Sequence, residues 1–159
     1  MKILLGRDDV DPNKSDERGE TPLLQAAYIR HKGIVKILLG RDDVDPNKSD
    51  ERGETPLLRA AYAEHEGVVK ILLRRDDVDP NKSDERDGTP LLQAAYIEHE
   101  GVVKMLLGRD DVNPDKPDGQ GLMPLWWAAE NDLARVVIQR LIPTARPKPG
   151  GAGDWFKWP

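Results

Sequence analysis

Apolar and polar positions along this chain recur with a fixed step. The run TPLLQAA at residues 21–27 returns as TPLLRAA at 55–61, as TPLLQAA at 89–95 and, altered, as MPLWWAA at 123–129, always 34 residues on. Such self-similarity marks a row of small units, each burying its apolar face on the next. In the second unit Thr55 is a favoured N-cap and Pro56 is tolerated at the first helical position, which predicts a helix carrying Leu57, Leu58, Ala60 and Ala61. The small alanines suit close approach of a neighbouring helix. The pattern breaks around residues 64–67, after which Val68, Val69, Ile71, Leu72 and Leu73 form a second apolar stripe. Two short antiparallel helices per unit are expected. Residues 74–88, RRDDVDPNKSDERDG, are rich in turn-forming Asp, Asn, Ser and Pro and predict an extended loop.

The units are near copies. Residues 2–35 and 36–69 differ only at Gln25/Arg59, Ile29/Ala63, Arg30/Glu64, Lys32/Glu66 and Ile34/Val68, which implies recent duplication or deliberate construction. The opening MKILL matches the end of a later apolar stripe, so the chain is expected to start partway through a unit. An N-terminal edge without a polar cap would invite self-association or continue an upstream domain. Residues 143–159 are rich in Pro and Gly and end in the aromatic Trp155, Phe156 and Trp158, a candidate docking group on the array, on a neighbouring molecule or on a partner.

In the second unit Asp50, Gly53, Thr55, Pro56, Leu57, Ala60, Ala61, His65, Val68, Val69, Leu72 and Leu73 keep an order and spacing that resembles the ankyrin repeat. The resemblance extends over about residues 1–142 and implies an all-α solenoid of stacked helix-turn-helix units with projecting loops. It further implies a partial first unit and a C-terminal cap at about 118–142. The RDDVDPN loop and the WAAEN of residues 127–131 look like the variant found in ankyrin arrays of filamentous fungi, including those of NACHT-type receptors. Departures are specific. The family's His after TPL is Leu24, Leu58, Leu92 or Trp126 here. Its Gly before the second His is Arg30, Glu64, Glu98 or Asp132, where a left-handed turn would be strained. In the third unit the turn Gly and the following Glu become Asp87 and Gly88, and in the last unit Met123, Trp126, Trp127 and Leu133 replace pattern residues.

Charge and composition narrow the chemistry. The net charge of -5 arises from 29 acidic and 24 basic residues mixed along the chain, leaving no clustered basic face for a phosphate backbone, so nucleic acid is not an expected partner. Cysteine is absent, which excludes disulfides and thiolate zinc sites and permits an intracellular setting, cytoplasmic or nuclear. No apolar run approaches the roughly 18 residues that span a bilayer, and no signal peptide is read at Met1.

Three candidate chemistries recede on inspection. His31, His65 and His99 sit one unit apart. Packed helices lie about 8–10 Å apart while zinc ligands sit about 2 Å from the metal, so a role at the start of the second helix is expected instead. Asp43, Asp45, Asn47, Ser49, Glu51 and Glu54 match calcium-loop spacing, but Lys48 stands where the loop needs Gly and the third copy ends in Gly88. Ser15, Ser49 and Ser83 occupy one repeated loop position, unlike a catalytic site that gathers different groups. No enzyme activity and no cofactor are expected.

What remains is a binding surface for another protein. By the resemblance, partners meet the loop tips and the exposed side of the first helix. That carries over to Glu17, Arg18, Glu20, Tyr28 and Ile29, then Glu51, Arg52, Glu54, Tyr62 and Ala63, then Glu85, Arg86, Tyr96 and Ile97. Tyr28, Tyr62 and Tyr96 form either a ladder of interface hot spots or a packing strip against the next helix. The expected function is a non-enzymatic protein-interaction module. Its alternatives are an engineered or trimmed scaffold without a natural partner, a calcium-responsive binder, and the ligand-sensing array of a larger NACHT-type receptor.

Overall fold

Each of the first three units begins where a threonine caps a helix. Thr21, Thr55 and Thr89 are buried with extended backbones, and their hydroxyls accept hydrogen bonds from the N–H groups of Leu24, Leu58 and Leu92 at 3.1, 3.1 and 3.2 Å. Proline follows, where its missing N–H costs nothing. The computed structural model describes residues 11–130. Seven helices are found there: α1 (Pro22–Tyr28), α2 (Lys32–Leu39), α3 (Pro56–Tyr62), α4 (Glu66–Leu72), α5 (Pro90–Tyr96), α6 (Glu100–Leu107) and α7 (Pro124–Glu130). The aromatic tail expected to dock, Trp155, Phe156 and Trp158, lies outside the described residues, as do the opening residues of the N-terminal edge.

Helices of seven or eight residues do not stand alone in water. The stack supplies their stability: α1 packs on α3, α3 on α5 and α5 on α7, while α2, α4 and α6 form a second row behind them. Leu23, Leu57 and Leu91 are buried from the first row, and Leu38, Leu72 and Leu106 from the second. The paired alanines, Ala60 and Ala61 among them, are fully buried and keep successive first helices close. Leu24, Leu58 and Leu92, where the family places His, are buried too, so an apolar contact replaces a polar one.

Between the two helices the chain turns through a left-handed residue. Arg30, Glu64 and Glu98 adopt φ of 61°, 55° and 61°, the strained geometry the sequence reading anticipated. The turn is held because the next residue's N–H, at His31, His65 or His99, donates to Ala26, Ala60 or Ala94 at 2.9 Å. The histidine rings add a link between units: Nε2 of His65 lies 2.8 Å from the Tyr28 carbonyl oxygen, and Nε2 of His99 lies 3.0 Å from that of Tyr62. A left-handed side chain costs about 1–2 kcal/mol, of which the looser unfolded glycine chain returns part. Glu64→Gly and Glu98→Gly should therefore each stabilise the array by about 0.5–1 kcal/mol, read as a higher urea midpoint. A lower midpoint would show that the turn holds no strain.

The loop read from sequence as merely projecting is a second stacking layer. Asn13 Nδ2 donates to the Asp43 carbonyl at 2.6 Å while its Oδ1 accepts from Asp45 N–H at 2.8 Å. Asn47 does the same to Asp77 and Asp79, and Asn81 to Asp111 and Asn113. Lysines reach the opposite way: Lys48, Lys82 and Lys116 donate to the carbonyls of Asn13, Asn47 and Asn81 at 2.8, 2.8 and 3.0 Å. Arg75 Nη1 donates to the Leu39 carbonyl at 2.7 Å and Arg109 Nη1 to that of Leu73 at 3.2 Å. The same guanidiniums grip Asp77 and Asp111, and that hydrogen bond holds both carboxyls below their ordinary range. In the fourth unit Asn113 and Asp115 exchange the usual order, so a carboxylate stands where Asn13, Asn47 and Asn81 stand earlier. The Asp115 side chain has no N–H to offer a following carbonyl.

Candidate functional site

The tips of the loops approach one another closely. One backbone bond joins each pair: Glu51 N–H to the Arg18 carbonyl at 3.2 Å, Glu85 to Arg52 at 2.9 Å and Gly119 to Arg86 at 3.1 Å. Gly19 and Gly53 make the approach possible. Their φ values are 77° and 76°, and a Cβ would lie 2.9 Å from Glu51 N at Gly19 and 3.1 Å from Asp84 Cα at Gly53. In the third unit Asp87 itself takes the left-handed conformation, φ 61°, and Gly88 does not. Gly119 stands opposite it where Glu51 and Glu85 stand in earlier units.

Each tip is shaped by an aspartate whose Oδ1 accepts two backbone N–H groups. Asp16 takes those of Arg18 and Glu20, Asp50 those of Arg52 and Glu54, Asp84 those of Arg86 and Gly88, and Asp118 those of Gln120 and Leu122. The would-be calcium ligands are thus spent separately, with Asp43 on Arg41, Asp45 on the Asn47 N–H and Asn47 in the ladder. Among the described residues no group of three or more His, Asp or Glu side chains is placed to hold a metal ion.

Tips and first helices together line a groove of about 970 Å³ that runs from Tyr28 of the first unit to Trp127 of the fourth. Of the residues expected at a partner surface, Tyr28, Arg52, Glu54, Tyr62, Glu85, Arg86 and Tyr96 line it. Glu17, Arg18 and Glu51 are exposed nearby. Ile29, Ala63 and Ile97 cap the first helices, and Ile29 borders a separate recess with Pro22, Gln25 and Ile34. The tyrosines keep 53%, 53% and 49% of their surface exposed, and the rings of Tyr28 and Tyr96 lean on the next unit. Arg59 sits 5.2 Å over the Tyr28 ring, and Tyr96 meets Trp127 edge-on at 4.6 Å.

One floor position changes while the frame repeats: Gln25, Arg59, Gln93 and Trp127. Sequence reading missed it as part of the surface, although the Gln25/Arg59 difference between otherwise matched units was the available signal. Arg59 gathers three carboxylates. Its Nη2 lies 2.8 Å from Asp50 Oδ2 and 3.2 Å from Glu20 Oε1, and its Nε faces Glu54. Burial alone would lower its pKa, but the Asp50 hydrogen bond and the charges of Glu54, Asp50 and Glu20 outweigh it and raise the value. Trp126 and Trp127, ring centroids 4.7 Å apart and edge-on, add further aromatic surface in the fourth unit.

Stacked helix pairs, a repeated turn-tipped loop and a groove between the two define a repeat solenoid. A family model for ankyrin repeats (3 copies) matches residues 1–84, and one for the single ankyrin repeat matches residues 87–119. The chain belongs to the ankyrin repeat family. Its fourth first-helix, α7, lies beyond the matched stretch yet packs on α5 as its predecessors pack. Ankyrin repeats are in general modules of protein–protein interaction. Comparison with curated proteins gives no match. Among the described residues no helix is long and apolar enough to cross a membrane.

Proposed function

We propose that the chain is a non-enzymatic binding array that takes an extended segment of a partner protein along its groove. The observation carrying this reading is the placing of three half-exposed tyrosines, one per unit, on one continuous groove whose rim is formed by the loop tips. Tyr offers large contact area at small entropic cost together with a polar end, which is why it recurs at interface hot spots. A groove of this size with mixed apolar floor and polar rim suits a peptide backbone with side chains seated at repeat spacing.

Peptides selected from a display library against the array give the test. Tyr62→Ala combined with Tyr96→Ala should weaken their binding by about 10- to 100-fold with a small change in melting temperature, since the rings are half exposed. Selected peptides that bind this double variant as tightly as the parent would overturn the proposal.

A further inference from the structure

The groove contains, one repeat apart, a site filled by an arginine and a counterpart in which a glutamine takes the arginine's place. In the filled one the Arg59 guanidinium lies over the Tyr28 ring with Asp50 and Glu20 as anionic partners. One unit on, Tyr62, Asp84 and Glu54 hold the places of Tyr28, Asp50 and Glu20, and all three line the groove, with Glu54 already facing Arg59 Nε from the other side. The arginine's place is taken by Gln93, which is neutral and whose Nε2 reaches Asp84 Oδ2 only at 3.4 Å. Its amide lies against Gly88, where an added Cβ would sit 2.6 Å from Nε2. Asp84 has no cationic side chain paired with it among the described residues, whereas Asp50 has Arg59.

Resting on the groove as the partner site, we infer that the bound segment is cationic and places an arginine over Tyr62, against Asp84, with Glu54 shared between it and Arg59. The chain's own Arg59 shows what this cradle accepts: a flat cation that stacks on a ring while its edge donates to carboxylates. Guanidinium meets both demands, and ammonium meets them less well because it is a compact, strongly hydrated charge. The tip arginines Arg52 and Arg86 border the same groove. They disfavour a dense run of positive charge and select a segment with one placed arginine.

The test titrates acetyl-Gly-Ser-Arg-Ser-Gly-amide into the full chain by NMR, beside counterparts with lysine, neutral citrulline or glutamate in the central place. The arginine peptide should shift the Gln93 side-chain amide and Tyr62 ring signals, with lysine and citrulline about tenfold weaker and glutamate without effect. Gln93→Arg fills the cradle from within, so it should abolish the response while raising the melting temperature. Asp84→Asn keeps an oxygen for the tip turn and removes the charge, and it too should lose the arginine preference. Equal binding of citrulline, or an undiminished arginine response in Gln93→Arg, would overturn the inference. If library peptides lacking arginine depend on Tyr62 and Tyr96 while the arginine peptide is silent, the cationic assignment fails and the groove reading stands.

Discussion

Arg59→Met is expected to destabilise the array by about 3 kcal/mol. Methionine keeps the stem and the packing but removes the cation shared by Asp50, Glu20 and Glu54, and the Asp50 side chain is only 3% exposed. Truncating one partner of a buried pair commonly costs about 3–5 kcal/mol, because the other is left charged and poorly solvated. The lower end applies where two of the three carboxylates keep some water. Arg59→Gln should cost less, about 1 kcal/mol, because it recreates the first unit, where Gln25 Nε2 donates to Asp16 and Glu20 at 3.4 and 3.3 Å. Urea denaturation of the parent and both variants separates these cases. Equal midpoints for the methionine and glutamine variants would mean that the carboxylates do not need the cation.

The second large effect belongs to the loop. Asn47→Ala removes a donor to the Asp77 carbonyl and an acceptor for Asp79 N–H, leaving the Lys82 bond to its backbone carbonyl as the remaining link at that place. Two hydrogen bonds at about 1 kcal/mol each give a loss of about 2 kcal/mol, moderated by water reaching a half-buried site. Stability in such arrays is a sum of unit and interface contributions, so the loss should be local. Amide exchange should quicken at Asp79 and Glu85, across the second and third tips, before it changes in α1. Asn47→Asp should be worse than alanine, since a carboxylate would face the Asp77 carbonyl. Uniformly faster exchange along the chain would contradict a local role for the ladder.

The parts legible in the sequence were those governed by neighbours in the chain. Thr-Pro before an apolar stripe sets a helix start wherever it occurs, and the alanine pairs announce close packing, so the helix pairs and their order could be read directly. The loop was different. Within one unit, Asn47, Lys48 and Arg75 look like solvated turn residues, and their partners lie 30 to 36 residues away. Only the recurrence of the same polar residue at the same place in each unit hinted that each one has a fixed partner. Tyr62 and its counterparts were legible as surface candidates through the resemblance to ankyrin arrays, whose partners meet the exposed side of the first helix. Arg59 and Trp127 were not, since they fall within the stripe that builds the first helices, and their importance depends on what the adjacent unit brings opposite them. Arg30, Glu64 and Glu98 adopt the left-handed conformation that the sequence marked as unfavourable for a side chain. In each case the N–H of the following histidine makes the bond that ends the helix.

The direction of the loop ladder has a consequence at the level of the gene. Asn13, Asn47 and Asn81 each reach forward by one unit, and Lys48, Lys82 and Lys116 each reach back by one, so each of the first three units offers the same joints to the unit that follows it. Excising residues 36–69 by recombination would bring Asn13 to Asp77 and Asp79, and Lys82 to the Asn13 carbonyl, with no joint mismatched. Groove length thereby becomes a matter of copy number. Unequal exchange between near-identical units can lengthen or shorten the groove in one step, while the residue at its floor travels with the unit that carries it.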